Sequence, residues 1–515
     1  MASRTPSRNM DNMDDAVDNA GLQKTESGHF KWQKNHGKYP RNWAPYRKCY
    51  DTVIVVFFEF YTTVISTTGP SAAVMAMEEY HTSRVVSLVA FTFMQVPSNF
   101  ATHAGTHNRR YQIGQALGGL LMPPFSESFG RRKPYIYSCA AFSIGSLLVG
   151  VVPSIAGVII GRFISGFASA VPSVVIAGSI QDMYGSTHRV WMVFVWNSST
   201  TLGLVLGPIY GSYIADSIGW RWIYYTSAIV TALLLLCLCL ILESRPTRIL
   251  SQKLTQLGTQ YDTKLEPHDN PDAIADGHAL LNLVLLRPAR LAVSEPIVIL
   301  VSILNATAWG LIYLFTESLT VVYSLYGWAD TTTSLAFLAI GLGIPISILP
   351  RLWDVHVITK KKKQHQAMKP EDKILGFAVA APVLAVGLWL FSWTIPPLVH
   401  THWAVSMVGL VMIGFAANEF AYTLNGYLAD SYTMYASSGL ATLAFLRALV
   451  SGLMPLFAYP MFDGLGGNVA GSILAAVATV FCLTPFLFLK YGRTLRERSQ
   501  FARYSAEVNE RHGDE

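Results

Sequence analysis

Charged side chains are scarce in this sequence. Asp, Glu, Lys and Arg make up 14% of the 515 residues and apolar types 51%, whereas a soluble domain carries about a quarter charged residues. The shortage excludes an ordinary soluble globular chain and implies a multi-pass protein whose partner is the lipid bilayer. Net charge is only +6, with Lys and Arg gathered in particular loops, as an inserted protein requires; no nucleic-acid partner follows. Cysteine is sparse as well. Cys139, Cys237, Cys239 and Cys482 fall in apolar runs and Cys49 at the edge of the first, which gives neither a paired extracellular framework nor a metal-spaced set, so all five read as packing residues. Histidine is missing from the apolar runs: all 13 lie in tails, predicted loops or one odd polar stretch, although an intramembrane enzyme would want a His beside a carboxylate. His400-Thr-His402 lacks a third metal ligand, and no glycine loop for nucleotide phosphates occurs. No metal and no cofactor is implied, and the chain reads as a non-enzyme.

Residues 1–48 are polar and lack the apolar core of a secretory signal. They read as a disordered cytosolic tail, whose Lys31, Lys34, Lys38, Arg41, Arg47 and Lys48 hold the N-terminus in the cytosol by the positive-inside rule. Apolar runs of about 20 residues then recur, one per span. The first, about 50 to 69, carries Glu59 in its middle; a carboxylate there costs roughly 2.5–3.5 kcal/mol and should face a cavity or an interhelical hydrogen bond rather than lipid. The second is irregular, because runs 85–96 and 111–125 are each too short and a polar piece, 97–110, ends in Arg109 and Arg110 between them. That piece is either a break the second span tolerates or a stretch absent from the mature message, and sequencing the transcript separates the two. A basic turn follows, in which Glu127, Gly130, Arg131 and Arg132 supply both charges for a contact between helix ends, or simply anchor the loop in the cytosol. The fourth span, about 155 to 178, carries Arg162 and Gly166, and a buried membrane arginine is a functional candidate by default.

Within the fifth run, about 190 to 214, Gly203, Gly207 and Gly211 recur every four residues. They leave three side-chain-free patches on one helix face for a neighbouring backbone, and Pro208 adds a bend. The sixth span ends at Glu243, and a hydrophilic stretch of about 50 residues then divides the chain into two sets of six, as a transporter built from repeats needs. In that stretch 279–293, with Arg287 and Arg290, reads as an interfacial helix. Asn305, Trp309 and Tyr313 of the seventh span share one face, either a substrate-facing stripe or an interhelical hydrogen-bonding face, the second being favoured for Asn305 alone. The eighth span, about 332 to 350, leads into a loop with Arg351 and Lys360 to Lys363, a cytosolic signal. The tenth carries Asn418, Glu419 and Asn425; the eleventh carries Arg447 and breaks at Pro455; the twelfth stops at Lys490, Arg493, Arg496 and Arg498, which places the C-terminus in the cytosol too.

Three of these patterns together carry a family resemblance. The acid-x-x-Gly-Arg-Arg turn ending at Arg132, Arg162-x-x-x-Gly166, and Gly203-x-x-x-Gly207-Pro208-x-x-Gly211 resemble signatures of the major facilitator superfamily, the last that of its drug:proton antiporter branch. The likeness extends through Gly219-Trp-Arg-Trp222, Arg351-Leu-Trp-Asp354, Leu428-Ala-Asp430-Ser-Tyr432 and Phe445-Leu-Arg447 to fungal twelve-spanner efflux proteins, over about residues 50 to 495. Pro123 stands where the first signature has glycine, which bears on how closely the second and eleventh spans approach.

The expected architecture is an all-α membrane protein of about twelve transmembrane helices in two pseudo-symmetric six-helix bundles, 49–243 and 295–490, joined by a cytosolic loop 244–294 and ending in a cytosolic tail 491–515. The resemblance implies a monomeric secondary transporter of the cell membrane, or of a vacuolar or other internal membrane, that exports a hydrophobic or amphipathic small molecule in exchange for protons. Uptake of a solute such as a polyamine by symport or facilitation shares the fold; a polytopic enzyme is the third and least favoured class. Candidate pathway residues are Glu59, with Arg162 as its charge partner, and Asn305, Trp309, Tyr313, Asn418 and Arg447. The glycine-proline face (Gly203, Gly207, Pro208, Gly211) and the latch (Glu127, Gly130, Arg131, Arg132) complete the set. Phe58, Phe60, Tyr61, Trp196, Phe415, Phe420 and Tyr422 would add aromatic cavity walls where they point inward.

Overall fold

The computed structural model describes residues 16–24, 30–33, 36–81, 114–261, 286–366, 368–397, 401–432 and 436–503. The polar piece at 97–110 lies outside the described residues. Helix α1 (Pro45–Ser66) opens the first half and, after a turn at Thr67 and Thr68, continues as α2 (Gly69–Glu79). The turn has a local cause: Pro70 offers no N–H to the Ser66 carbonyl, and the Thr67 and Thr68 hydroxyls donate to the carbonyls of Val64 and Ile65 (3.2 and 2.9 Å). Next come α3 (Gly114–Phe129), α4 (Arg132–Val151), α5 (Ile155–Met183), α6 (Ser186–Ile218) and α7 (Arg221–Cys239). Two short helices, α8 (Pro246–Tyr261) and α9 (Arg287–Ser294), stand between the halves. The second half holds α10 (Pro296–Ser324), α11 (Asp330–Lys363), α12 (Leu375–Thr394), α13 (Trp403–Ser431), α14 (Ala436–Leu465) and α15 (Gly467–Arg498). Eleven helices among the described residues are long and apolar enough to cross a membrane, and α3, at 16 residues, is shorter than these. Exposed Ile229, Leu233 and Leu236 on α7 form the kind of apolar stripe that faces lipid.

Packing repeats between the halves. In the first, α1 packs on α6, α4 on α5 and α7, and α3 on α5; in the second, α10 packs on α14, α12 on α13 and α15, and α11 on α13. The halves meet where α3 touches α14 and where α6 touches α11 and α13. Pro123 does not hold the second and eleventh spans apart, because Gly119, one turn earlier, faces Ala444, whose Cβ lies 3.4 Å from where a Gly119 Cβ would sit. The chain's basic turns gather at one end of the bundle, called here the basic end: the entry to α1, the 130–133 turn, the end of α11 and the end of α15.

The structure corrects several expectations. Residues 1–48 are not wholly without structure: β1 (Leu22–Lys24) and β2 (Phe30–Trp32) pair antiparallel, and Val17, Leu22 and Phe30 pack on Leu250 and Leu254 of α8. Trp32 Nε1 donates to the Pro246 carbonyl at 3.1 Å. Three apolar residues in a polar stretch are too few to signal order by composition, yet they cover the one apolar stripe of α8. The eighth span does not stop near residue 350; α11 runs on to Lys363, so Arg351 lies inside a helix. Nor does α14 break at Pro455, continuing through Pro455 and Pro460 to Leu465, as membrane helices with neighbours to rescue the freed carbonyls can. His188 and His356 sit on helical extensions at the basic end rather than in loops. Cys49 and Cys239 are exposed, while Cys139 is buried with its thiol 3.2 Å from the Thr231 carbonyl. Of 279–293, only α9 falls within the described residues, with Pro288 and Leu291 buried.

Candidate functional site

The glycine face of α6 is what brings α1 to the middle of the molecule. A Cβ on Gly203 would lie 2.8 Å from the Phe60 carbonyl oxygen, one on Gly207 would run into the Val64 carbonyl and the Thr67 hydroxyl, and one on Gly211 would meet Thr68 at 3.1 Å. Hydrogen at these three positions therefore lets α1 lie directly on α6. The contact turns the neighbouring side of α1, with Glu59, Thr62, Thr63 and Ser66, to a small polar cavity between the halves of about 20 Å³, room for about one water. Gln115 of α3 and Ser169 of α5 line it from the first half, and Trp309, Tyr313, Arg447, Ala448 and Ser451 from the second.

Glu59 is 3% exposed, and its Oε2 has no hydrogen-bond partner among the described residues. The cation that answers it is Arg447 of α14, on the other half, whose guanidinium stacks over the Trp309 ring 4.4 Å from its centroid. Opposite charges on two halves, facing one small buried cavity, can exchange a proton and can be separated or exposed when the halves move. Arg162 is not that partner. It is fully buried within the first half, with Nη1 3.4 Å from the Ile65 carbonyl and its guanidinium 5.3 Å from the Tyr224 ring centroid. Its spacing from Glu59 along the sequence carried no information on which face of α5 it occupies.

The seventh-span stripe divides. Trp309 and Tyr313 line the cavity, and the Tyr313 and Ser66 hydroxyls hydrogen-bond across the halves at 2.8 Å. Asn305 instead donates to Asn425 of α13 at 3.0 Å, an interhelical bond within the second half. Asn418 joins the halves: its Oδ1 accepts from Thr201 (3.2 Å) and its Nδ2 donates to Ser198 (3.4 Å), both on α6. Most of the other aromatics are core, as Phe58 edge-on to Phe142 and Phe420 edge-on to Phe377 illustrate.

Toward the basic end, the halves are closed by an apolar plug of Val190 and Phe194 from α6 with Ile358 of α11 and Tyr422 of α13. Toward the opposite end they part around a vestibule of about 1350 Å³, lined from α2 and α6 by Ser71, Met75 and Asp216 and from the second half by Glu317, Asp330 and Asp463 among others. Ser66 and Tyr313 stand between cavity and vestibule, since Thr67 and Thr316 already line the latter. Among the described residues, the plug closes the basic end, and at the other end a vestibule reaches as far as the Ser66–Tyr313 hydrogen bond.

In the 130–133 turn Glu127 lies close enough to act on Arg131 through its charge, and two further acids join it. Arg131 Nε pairs with Asp182 at the end of α5 (2.6 Å), and Arg245 approaches the other Asp182 oxygen at 3.7 Å. Gly130, at φ +92°, leaves room for the Glu243 carboxylate, which accepts the backbone N–H groups of Arg131 and Arg132 (2.8 and 3.1 Å). The second half echoes this: Lys373 before α12 pairs with Asp430 at the end of α13 (2.5 Å), and Arg496 of α15 pairs with Glu371. Each set ties helix ends within its own half.

Sequence reasoning missed a further cluster. Arg351, fully buried, pairs through Nη2 with Glu419 (2.6 Å) and through Nη1 with Asp354 (3.0 Å), and its guanidinium lies 3.6 Å from the Tyr422 ring centroid. Gly376 of α12 leaves the space the pair occupies. Spacing gave a signal: Arg351 and Asp354 share a helical face at i, i+3 once the helix continues past residue 350.

Comparison with known proteins adds an independent line. The model of the Major Facilitator Superfamily matches residues 52–455. An efflux pump of Fusarium oxysporum is 32% identical over 408 residues, covering 77% of this chain and 68% of its own. A major facilitator-type transporter of Hypocrea jecorina is 30% identical over 493 residues (93% and 90%), and a multidrug transporter of Candida glabrata 26% over 470 (91% and 78%). Among solved structures, a human organic anion transporter superposes with a TM-score of 0.60 at 15% identity, over 87% of this chain and 100% of that one. A proton:xylose symporter gives 0.56 at 17%, over 86% and 96%.

Proposed function

The chain belongs to the major facilitator superfamily, and from that premise we propose that it exports a hydrophobic or amphipathic small molecule in exchange for protons, by alternating access of the central cavity. The observation that carries the reading is the Glu59–Arg447 pair: opposite charges on opposite halves, facing one buried cavity, with the basic end plugged and a vestibule at the other. In this reading 49–243 and 295–490 rock as two bundles about that cavity, the basic end faces the cytosol with both termini, and the protein works as a monomer in the cell membrane. Glu59 carries the proton, Arg447 faces it from the other half, and Trp309 with Tyr313 gives the substrate an aromatic wall. The relatives named efflux pump and multidrug transporter favour export over uptake.

Transport into proteoliposomes under an imposed pH gradient tests it. A gradient supplies about 1.4 kcal/mol per pH unit for each proton exchanged, so about tenfold accumulation of a neutral substrate per unit is the ceiling for one-to-one exchange. Collapsing the gradient should abolish accumulation, and Glu59→Gln should abolish its dependence on pH while leaving equilibration down a substrate gradient. Accumulation indifferent to the gradient in the native chain would remove the antiport reading and leave facilitated diffusion.

A further inference from the structure

We propose that the buried Asp354–Arg351–Glu419 cluster is a second proton-holding site, and that its occupancy controls the plug that closes the basic end. The argument begins with charge. The groups that face one another here are Arg351 and Asp354 of α11, Glu419, Tyr422 and Asp430 of α13, and Lys373 at the start of α12, while α6 brings Val190 and Phe194. Three carboxylates therefore share two cations. Lys373 is committed to Asp430 at 2.5 Å, which leaves one guanidinium between Asp354 and Glu419. Both carboxylates are 1% exposed or less, and Glu419 Oε1 and Asp354 Oδ1 have no hydrogen-bond partner among the described residues. A net negative charge buried this deeply is expensive, and one proton on either carboxylate restores neutrality.

The second step is mechanical. Arg351 is held from both sides and lies flat on Tyr422, and Tyr422 is one of the residues that seal α13 and α11 against Val190 and Phe194 of α6. With both carboxylates ionised, the guanidinium is clamped and the Tyr422 ring with it. A proton arriving on Glu419 removes one arm of the clamp, Arg351 turns toward Asp354, and the ring loses its platform. Proton occupancy then favours an open basic end. The inference deepens the export reading by adding a gate to it, but it involves neither Glu59 nor the central cavity.

The test is a distance measurement on the full chain in lipid nanodiscs. Spin labels go on Ser186→Cys and Lys362→Cys, exposed positions at the basic end of opposite halves, with Cys49, Cys237, Cys239 and Cys482 replaced by serine. Between about pH 8 and about pH 5.5 the open-to-closed ratio should rise about threefold or more per pH unit, about tenfold being the limit for one proton. The response should persist in Glu59→Gln. Glu419→Gln should lose the slope and rest toward the open form at every pH, and Asp354→Asn should lose the slope as well. No response in the Glu59→Gln background, or a full slope in both cluster variants, overturns the inference. Should Glu419→Gln fail to fold, the Glu59→Gln measurement and Asp354→Asn still decide it. Gradient-independent export by the native chain would defeat the functional reading without touching this result.

Discussion

Three glycines on α6 define how close α1, and with it Glu59, comes to the centre, and alanine at each of them should fail by a different amount. Alanine is the better helix former by about 1 kcal/mol, so a substitution into free space would stabilise. At Gly426 of α13 nothing lies within 4 Å of the added Cβ, and Gly426→Ala serves as that reference. At Gly211 the nearest atoms are Thr68 Cβ and Cα at 3.1 and 3.2 Å, so a shift of a few tenths of an ångström suffices and the two effects roughly cancel. At Gly203 the obstacle at 2.8 Å is the Phe60 carbonyl oxygen, which moves only with the backbone of α1, and at Gly207 the Val64 carbonyl is closer still, with Thr67 Cβ at 3.1 Å behind it. Overpacking of this kind costs about 1–3 kcal/mol, leaving a net loss of up to about 2 kcal/mol after the helix gain. The predicted order of stability is Gly426→Ala, native, Gly211→Ala, Gly203→Ala, Gly207→Ala, read as unfolding midpoints in mixed micelles. Transport should fall in the same order, because separating α1 from α6 displaces Glu59. Gly207→Ala as stable and active as the native chain would refute the reasoning, as would a Gly426→Ala defect of equal size.

Tyr313→Phe removes the hydrogen bond to Ser66, worth about 0.5–1.5 kcal/mol, and should make a cysteine at Ser169 react faster with a thiol reagent applied from the vestibule side. Arg131→Ala leaves Asp182 buried with the more distant Arg245 beside it; a loss approaching about 3 kcal/mol in unfolding free energy is expected, and Arg131→Lys should restore part of it. Neutralising Asp216, Asp330 and Asp463 together should weaken binding of cationic substrates from the vestibule side and flatten its dependence on ionic strength, while neutral substrates are unaffected. Trp32→Ala with Phe30→Ala should free the N-terminal hairpin from α8 and raise protease cleavage between the halves without changing transport.

What the sequence made legible was what repeats at helical spacing or offends the membrane. Spans follow from apolar length, and Glu59 and Arg447 stand out because a charge in such a run is costly. Partnership was less legible. That Glu59 answers Arg447, nearly 400 positions away, and not Arg162 depends on how helices rotate against one another, which the period of a single helix leaves undetermined. Arg351 was passed over for a different reason: four lysines nearby made the whole segment read as a cytosolic loop, although its Arg and Asp stand one turn apart on a helix that extends beyond its apolar length. The N-terminal hairpin escaped because order there depends on α8, a partner over 200 residues on.

The distribution of strong and weak contacts explains how such a molecule can alternate. Guanidinium–carboxylate and ammonium–carboxylate pairs join helices of the same half: Arg131 with Asp182, Arg221 with Glu79, Arg351 with Glu419, Lys373 with Asp430, Arg496 with Glu371. Across the halves Glu59 and Arg447 face one another over the cavity, and the direct contacts among the described residues include hydroxyl and amide hydrogen bonds, Ser66 to Tyr313, Thr201 to Asn418 and Asn418 to Ser198, each worth about 1 kcal/mol. The apolar plug adds the burial of four side chains. Breaking the closed end therefore costs a few kcal/mol, and a gradient of two pH units returns about 2.7 kcal/mol per proton. One or two protons suffice to exchange the two arrangements only because the ion pairs, several-fold costlier to break when buried, are kept inside the bodies that move as units.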